Sequence, residues 1–431
     1  MTVFGAFWIV LCVLSFFSAY KYTFFLLLLS CVFQAAAVAN FGGKGITPLF
    51  FTELILIIRC LFIHQETKFK LTKQVKYLFF FTVFTVVITF IYPFLFRGIH
   101  VYSQKLGGID PNFFAGGSPL VFSSSNFAQI LFLVINFITF FLVVNNSFRI
   151  SKHFLWRSIL FIIAIVLFFG FWEYFSKSTG LNIYPFSVFN SNEGYPQLYG
   201  WESNGRYRLS ATFVEPSMAG AFLAPSFWAL YAVNTFKTKV LSFVVLLALA
   251  LNMSGTGLGT FICGFLIYIY FKGGTKVFRI GLFAGLLVVL LLMFGFLDFI
   301  ISMVGGKFED DASGFVRLGA DLFTLLLLLD TYGLGVGLGS HRTSGFLINI
   351  LGGVGILGTI LFYLFVSKSL SHAFKNMNFN NNALFVSFFA ISLFVAQFLA
   401  IPDLTFPVMW FWIFILSSCV FTDETNTLQN L

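Results

Sequence analysis

Two short stretches of this chain carry residues that could do chemistry. The first is Arg206-Tyr207-Arg208, followed seven residues later by Glu215 and then Pro216-Ser217. A guanidinium forms bidentate, charge-assisted bonds to phosphate. A carboxylate inside an apolar run is costly and marks a functional site by default, although it also serves as a structural partner for an arginine. The second stretch contains Arg317 and then Gly333-Leu334-Gly335-Val336-Gly337-Leu338-Gly339-Ser340-His341-Arg342-Thr343-Ser344. Glycines let backbone amides come close to an anion. Here they deliver His341 and Arg342 to the expected start of a helix, where free amides also favour negative charge. An arginine alone at an outer face is as readily solvated or bound to a lipid headgroup.

Other chemistry is not in evidence. The sequence has no P-loop, no His-Glu-x-x-His and no Cys-His cluster, and its five cysteines all lie in apolar runs without metal-ligand spacing. The acidic triplet Glu309-Asp310-Asp311 reads as solvated. Neither a metal nor a cofactor is therefore expected. Glu53, Glu173 and Asp298 are also acids in or beside apolar runs, but no motif surrounds them, so they read as structural. The loop residues Tyr184, Tyr195, Tyr199 and Trp201 suit an interfacial belt and are also rings on which sugars stack.

The elements that must position these residues follow from composition. Of the 431 residues, 59% are hydrophobic and only 10% charged, against about 25% charged in soluble domains. The mean hydropathy is +0.94. This excludes a soluble enzyme, a disordered chain and a disulfide scaffold. It predicts an all-α polytopic integral membrane protein, residues 1–431 forming a single membrane domain. Apolar runs near 3–20, 23–41, 46–63, 77–96, 127–146, 158–175, 211–233, 240–252, 257–271, 280–303, 344–366, 383–400 and 407–421 give about 12–13 spans. The run 315–330 is too short to span comfortably, and its polar stripe of Arg317, Asp321 and Thr324 suits an interfacial helix. Residues 240–271 read as a hairpin with its tip at Asn252-Met253-Ser254-Gly255-Thr256-Gly257.

Lys and Arg orient the bundle. The segments 64–76, 147–157, 234–239, 272–279 and 367–382 are basic with little acid, and the positive-inside rule places all five in the cytoplasm. The connections 98–126, 176–210 and 305–343 then fall outside. The net charge of +9 is a consequence of this topology and does not imply nucleic-acid binding.

At the two arginine stretches the sequence resembles the O-antigen polymerase (Wzy) family, within the O-antigen ligase/polymerase superfamily. The resemblance rests on Arg208 to Ser217 (Arg-x-x-x-x-Phe-x-Glu-Pro-Ser), on Gly335 to Ser344, and on the helix carrying Gly355-Ile356-Leu357-Gly358. It extends to Ser118-Pro119-Leu120 through Asn126-Phe127-Ala128-Gln129 and to the 252–257 tip, covering roughly residues 40–420 in order. It implies a GT-C-like, metal-independent glycosyltransferase of the bacterial inner membrane with two functional periplasmic loops. Such an enzyme moves the growing glycan from undecaprenyl pyrophosphate onto the next lipid-linked repeat unit, in contact with membrane lipid and with a chain-length regulator protein as partner. On this basis Arg208 and Arg342 hold the pyrophosphate, and Arg206 and Arg317 support them. Glu215 is the acceptor-side base or orients an arginine, and His341 is an alternative base. Tyr207, Ser217 and Ser344 complete the expected substrate-binding set. The related ligases resemble a pattern with a histidine where this chain has Ser344, which favours polymerase over ligase. A lipid-linked oligosaccharide flippase is the alternative from another class.

Overall fold

The computed structural model describes residues 1–62, 71–102, 117–197, 202–203, 206–272, 312–343, 345–376, 381–400 and 403–418. Its helices are α1 (Val3–Phe17), α2 (Tyr20–Ser30), α3 (Pro48–Phe62), α4 (Lys73–Leu95), α5 (Ser124–Asn145), α6 (Lys152–Thr179), α7 (Phe186–Phe189), α8 (Pro216–Val233), α9 (Phe236–Asn252), α10 (Gly255–Lys272), α11 (Ala312–Asp330), α12 (Phe346–Asn376), α13 (Asn381–Ala400) and α14 (Pro407–Ser417). Five of them, α4, α5, α6, α12 and α13, are long and apolar enough to cross a membrane. Three small antiparallel hairpins join them: β1 (Ala39–Phe41) with β2 (Lys44–Ile46), β3 (His100–Val101) with β4 (Ser118–Pro119), and β5 (Glu202–Ser203) with β6 (Arg206–Tyr207). The chain is thus mostly helical, in keeping with the expected all-α class.

The connections gather at two ends. At one end, Ala37 N–H donates to Ser191 Oγ (3.1 Å), Leu209 N–H to Leu251 O (3.1 Å) and Arg342 N–H to Tyr102 O (3.0 Å). Proline opens α3, α8 and α14 at this same end, where the first helical N–H has no partner to lose. The opposite end carries the basic helix termini Lys73, Lys76, Arg149, Lys152, Lys237 and Lys375. There the Arg59 guanidinium donates to the Ser15 (2.7 Å), Phe16 and Ser18 (2.5 Å) carbonyls at the end of α1.

Helix α8 is the hub, packed most extensively against α13, α10 and α9. It is buried on all sides, as a helix apolar all round must be. Its small residues permit close approach. A Cβ on Gly220 would lie 2.9 Å from Gly257 Cα, so α8 and α10 meet backbone to backbone. The hairpin expected at 240–271 is formed by α9 and α10, and Met253 takes the left-handed turn (φ 45°).

Several boundaries differ from the sequence reading for one physical reason. The run 23–41 is helical only to Ser30. Beyond it, Gln34 and Ala35 N–H both donate to Thr212 O (3.2 and 3.4 Å), and Ala35 O accepts from Asn192 N–H (3.0 Å). These long-range bonds use the groups a helix would need. Likewise the run 211–233 becomes helical only at Pro216; α14 is described to Ser417, and residues 419–431 lie outside the described residues. The expected span 280–303, and residues 305–311 with the acidic triplet, lie outside the described residues.

Candidate functional site

The strip from Arg208 to Ser217 is fixed on both sides. Asn252, at the tip between α9 and α10, donates its side-chain amide to Leu209 O (2.6 Å) and Pro216 O (2.7 Å). From α6, the buried Glu173 carboxylate accepts from Ser210 N–H (3.1 Å) and Ala211 N–H (2.6 Å), and Ala211 is left-handed (φ 53°). The other Glu173 oxygen accepts from Lys177 Nζ (2.6 Å) and Gln197 Nε2 (2.8 Å). A buried carboxylate with four donors is a frame, in line with its structural reading.

On this strip Arg208 and Glu215 face one another electrostatically. Burial lowers the Arg208 pKa from its ordinary value, and the Glu215 charge works against that shift. Among the described residues, the Arg208 guanidinium makes one long hydrogen bond, Nε to Asn252 O at 3.4 Å. Glu215 occupies the N-cap of α8 without a capping bond from its side chain, and its Oε2 accepts from Ser217 Oγ at 3.0 Å. Its carboxylate thus lies at the positive end of α8. Tyr207, paired with Glu202 across β5 and β6, is partly exposed beside them.

The glycine stretch is built for a different purpose than an anion cradle. Gly335 N–H donates to Thr331 Oγ1 (3.2 Å), Val336 to Gly352 O (3.0 Å), Gly337 to Gly353 O (2.9 Å) and Leu338 to Thr89 Oγ1 (3.0 Å). These amides are spent inside the protein. The glycines are needed because two backbones touch: a Cβ on Gly355 would lie 2.3 Å from Leu334 O, and one on Gly335 2.7 Å from Gly355 N. Gly355 breaks α12 (φ 68°, ψ −173°), and the stretch docks along that break. Asn126, in a capping box at the start of α5, closes the far side by donating to Leu338 O (2.9 Å) and Ser340 Oγ (2.7 Å).

His341, a candidate base and substrate ligand, is held in this structure as a brace. Its Nδ1 accepts from Tyr102 N–H (3.1 Å), which leaves the proton on Nε2. Nε2 meets Thr324 Oγ1 at 2.7 Å, and that hydroxyl donates onward to Ala320 O (2.7 Å). Burial pulls the His341 pKa down to about 4. Both nitrogens of a neutral ring are thus engaged. Thr324 and Asp321, from the predicted polar stripe, do face this region: Gly345 N–H points at Asp321 Oδ1 (3.4 Å).

Arg342, directly after the brace, reaches the site. Its Nη2 donates to Asp403 Oδ2 at 3.1 Å, and the Tyr195 hydroxyl lies close enough to act on its charge. Burial opposes its charge, yet Asp403, Tyr195 and Glu215 together hold its pKa above the ordinary arginine value. Burial pushes the Tyr195 hydroxyl up to about 12. The Glu215 charge thus acts on both Arg208 and Arg342, which come from distant parts of the sequence, although neither arginine is ion-paired with it. Ser344 and the side chains of Arg206 and Arg317 lie outside the described residues.

Asp403 was not anticipated. The signal for it was an acid in the short Pro402-to-Pro407 link between two apolar runs on the outer side. Tyr195 was noted only as one of several loop aromatics. No family model and no curated protein matches this chain.

Proposed function

We propose that this protein is a multi-pass glycosyltransferase of the bacterial inner membrane. It transfers a growing glycan from undecaprenyl pyrophosphate onto a hydroxyl of the next lipid-linked O-antigen or capsule repeat unit, at the periplasmic face. The observation that carries this reading is that Arg208, Glu215 and the Arg342–Asp403 ion pair lie at the end of the bundle away from the basic helix termini, where the Glu215 charge acts on both arginines. A guanidinium with one long backbone bond and another paired to a carboxylate suit a substrate more highly charged than that carboxylate.

In this reaction the acceptor oxygen bonds to the anomeric carbon as the bond from that carbon to the pyrophosphate oxygen breaks. The bonding electrons leave with the pyrophosphate. Arg208 and Arg342 stabilise the developing negative charge, an effect usually worth about 10²–10³ in rate for each well-placed donor. Glu215 takes the acceptor proton, and Asp403 and Tyr195 keep Arg342 aimed. Tyr207 and Ser217 border the same strip.

The test uses the purified chain in nanodiscs with an undecaprenyl-pyrophosphate-linked repeat unit, with and without lipid A-core. A ladder of lengthening lipid-linked glycan without lipid A-core is expected. Transfer seen only with lipid A-core would replace this reading with a ligase. No transfer of a competent substrate would move it to a flippase.

A further inference from the structure

Beside Arg342, a cavity of about 200 Å³ runs inward between α3, α5 and the start of α14. Tyr195 and Asp403, the two partners of Arg342, line it. Deeper in, it is lined by Gln34, Glu53 and Asn136, which are 3%, 1% and 2% exposed. Each presents a buried oxygen without a hydrogen-bond partner: Gln34 Oε1, Glu53 Oε1 and Asn136 Oδ1. Leaving a buried polar atom unpaired is costly, and three around one cavity are hard to reconcile with a purely structural role. Asn136 lies twelve residues into α5, about 18 Å along the helix at about 1.5 Å per residue.

The lining defines the chemistry of an occupant. Three acceptor oxygens call for several donors on one small molecule. Phe50, Phe132 and Phe406 supply aromatic faces, which attract the weakly positive C–H groups of a sugar ring. The space equals on the order of six waters, enough for one ring. Among the described residues no lysine or arginine lines it, and its one ion-paired acid, Asp403, is already matched by Arg342. An anionic sugar would therefore enter the cavity without a cation to pair with it.

We propose that this cavity is a subsite for one neutral, hydroxyl-rich sugar ring, with Gln34, Glu53 and Asn136 accepting hydrogen bonds from its hydroxyls. The inference rests on the glycan-transfer reading and adds to it a place and a charge class for one sugar. The ring seated here adjoins the Arg342–Asp403 pair, so its neighbour along the glycan would reach the reacting centre.

The experiment is saturation-transfer NMR on the full chain in nanodiscs, using glucose, galactose, N-acetylglucosamine and glucuronate as probes. At least one neutral sugar is expected to show transfer, with glucuronate showing none. Asn136→Leu, which replaces the amide by a similar apolar volume, is expected to abolish that signal, and Glu53→Gln to weaken it at least fivefold. The Gln variant keeps the shape and guards against a folding failure of the Leu variant. Absence of transfer from every neutral sugar, equal transfer in wild type and both variants, or equal transfer from glucuronate would each overturn the subsite. The transfer assay above reads separately. A glycan ladder without sugar binding here would retain the enzyme and remove the subsite. Sugar binding without a ladder would do the reverse.

Discussion

Arg59 and Arg342 stand at opposite ends of the bundle and are used in opposite ways. Arg59 spends its guanidinium on the Ser15, Phe16 and Ser18 carbonyls and the Thr23 hydroxyl. Those partners are dipoles at a helix end, and the contact joins α1 to α3. Arg342 is half-buried against Asp403 and Tyr195 and feels Glu215, a shared partner of Arg208. The first arginine closes a fold. The second sits in a charge network whose members an incoming anion could exchange. The carboxylates differ in the same way: Glu173 accepts four protein donors, whereas Glu215 has a hydroxyl bond to Ser217 and the fields of two arginines. A residue type alone therefore does not tell framework from site, but the kind of partner does.

The comparison can be broken first at Glu173. Glu173→Gln removes the charge that pairs with buried Lys177, and the expected loss is about 3–5 kcal/mol of stability, read as a lower melting temperature in detergent. An unchanged melting temperature would contradict the framework role. Arg342→Lys comes next. It keeps the charge and loses the planar fork, so transfer should fall about 10²–10³-fold with the melting temperature nearly unchanged. Arg208→Lys is expected to behave alike.

Arg59→Lys should show the converse pattern. About 1.5–3 kcal/mol of stability is expected to go with its charged hydrogen bonds, while the folded fraction transfers glycan within about twofold of wild type. The smallest effect concerns His341. Its folded pKa of about 4 lies below its ordinary value of 6.5, so the unfolded chain binds the proton first as pH falls. The stability from this group is complete above 6.5 and declines below it, by about 2 kcal/mol at pH 5. Thermal melts of wild type and His341→Gln at pH 7.5 and 5 should differ by that slope. Equal slopes would contradict the neutral brace.

The two-ended organisation was legible because Lys and Arg gather in a few short segments, and the 252–257 tip because a polar Gly-containing stretch interrupts an apolar run. Arg208, Glu215 and Arg342 stood out as charges in apolar or external stretches. What sequence could not give was pairing across distance. Nothing local marks residues 31–38 as non-helical, since the cause is the backbone of Thr212, Asn192 and Ile46. The glycines from 333 to 339 read equally as an anion cradle or a docking strip, and only the break at Gly355 decides. Asp403 gains its meaning from Arg342, sixty-one positions away in sequence.

The most direct test of the account is the affinity of undecaprenyl pyrophosphate itself, measured by native mass spectrometry of the detergent-solubilised protein. Wild type and Arg59→Lys are expected to retain the lipid equally, and an Arg208→Lys, Arg342→Lys double variant to bind it about a hundredfold more weakly. Equal retention by the double variant, or an equal loss in Arg59→Lys, would contradict the claim that the two site arginines hold the pyrophosphate.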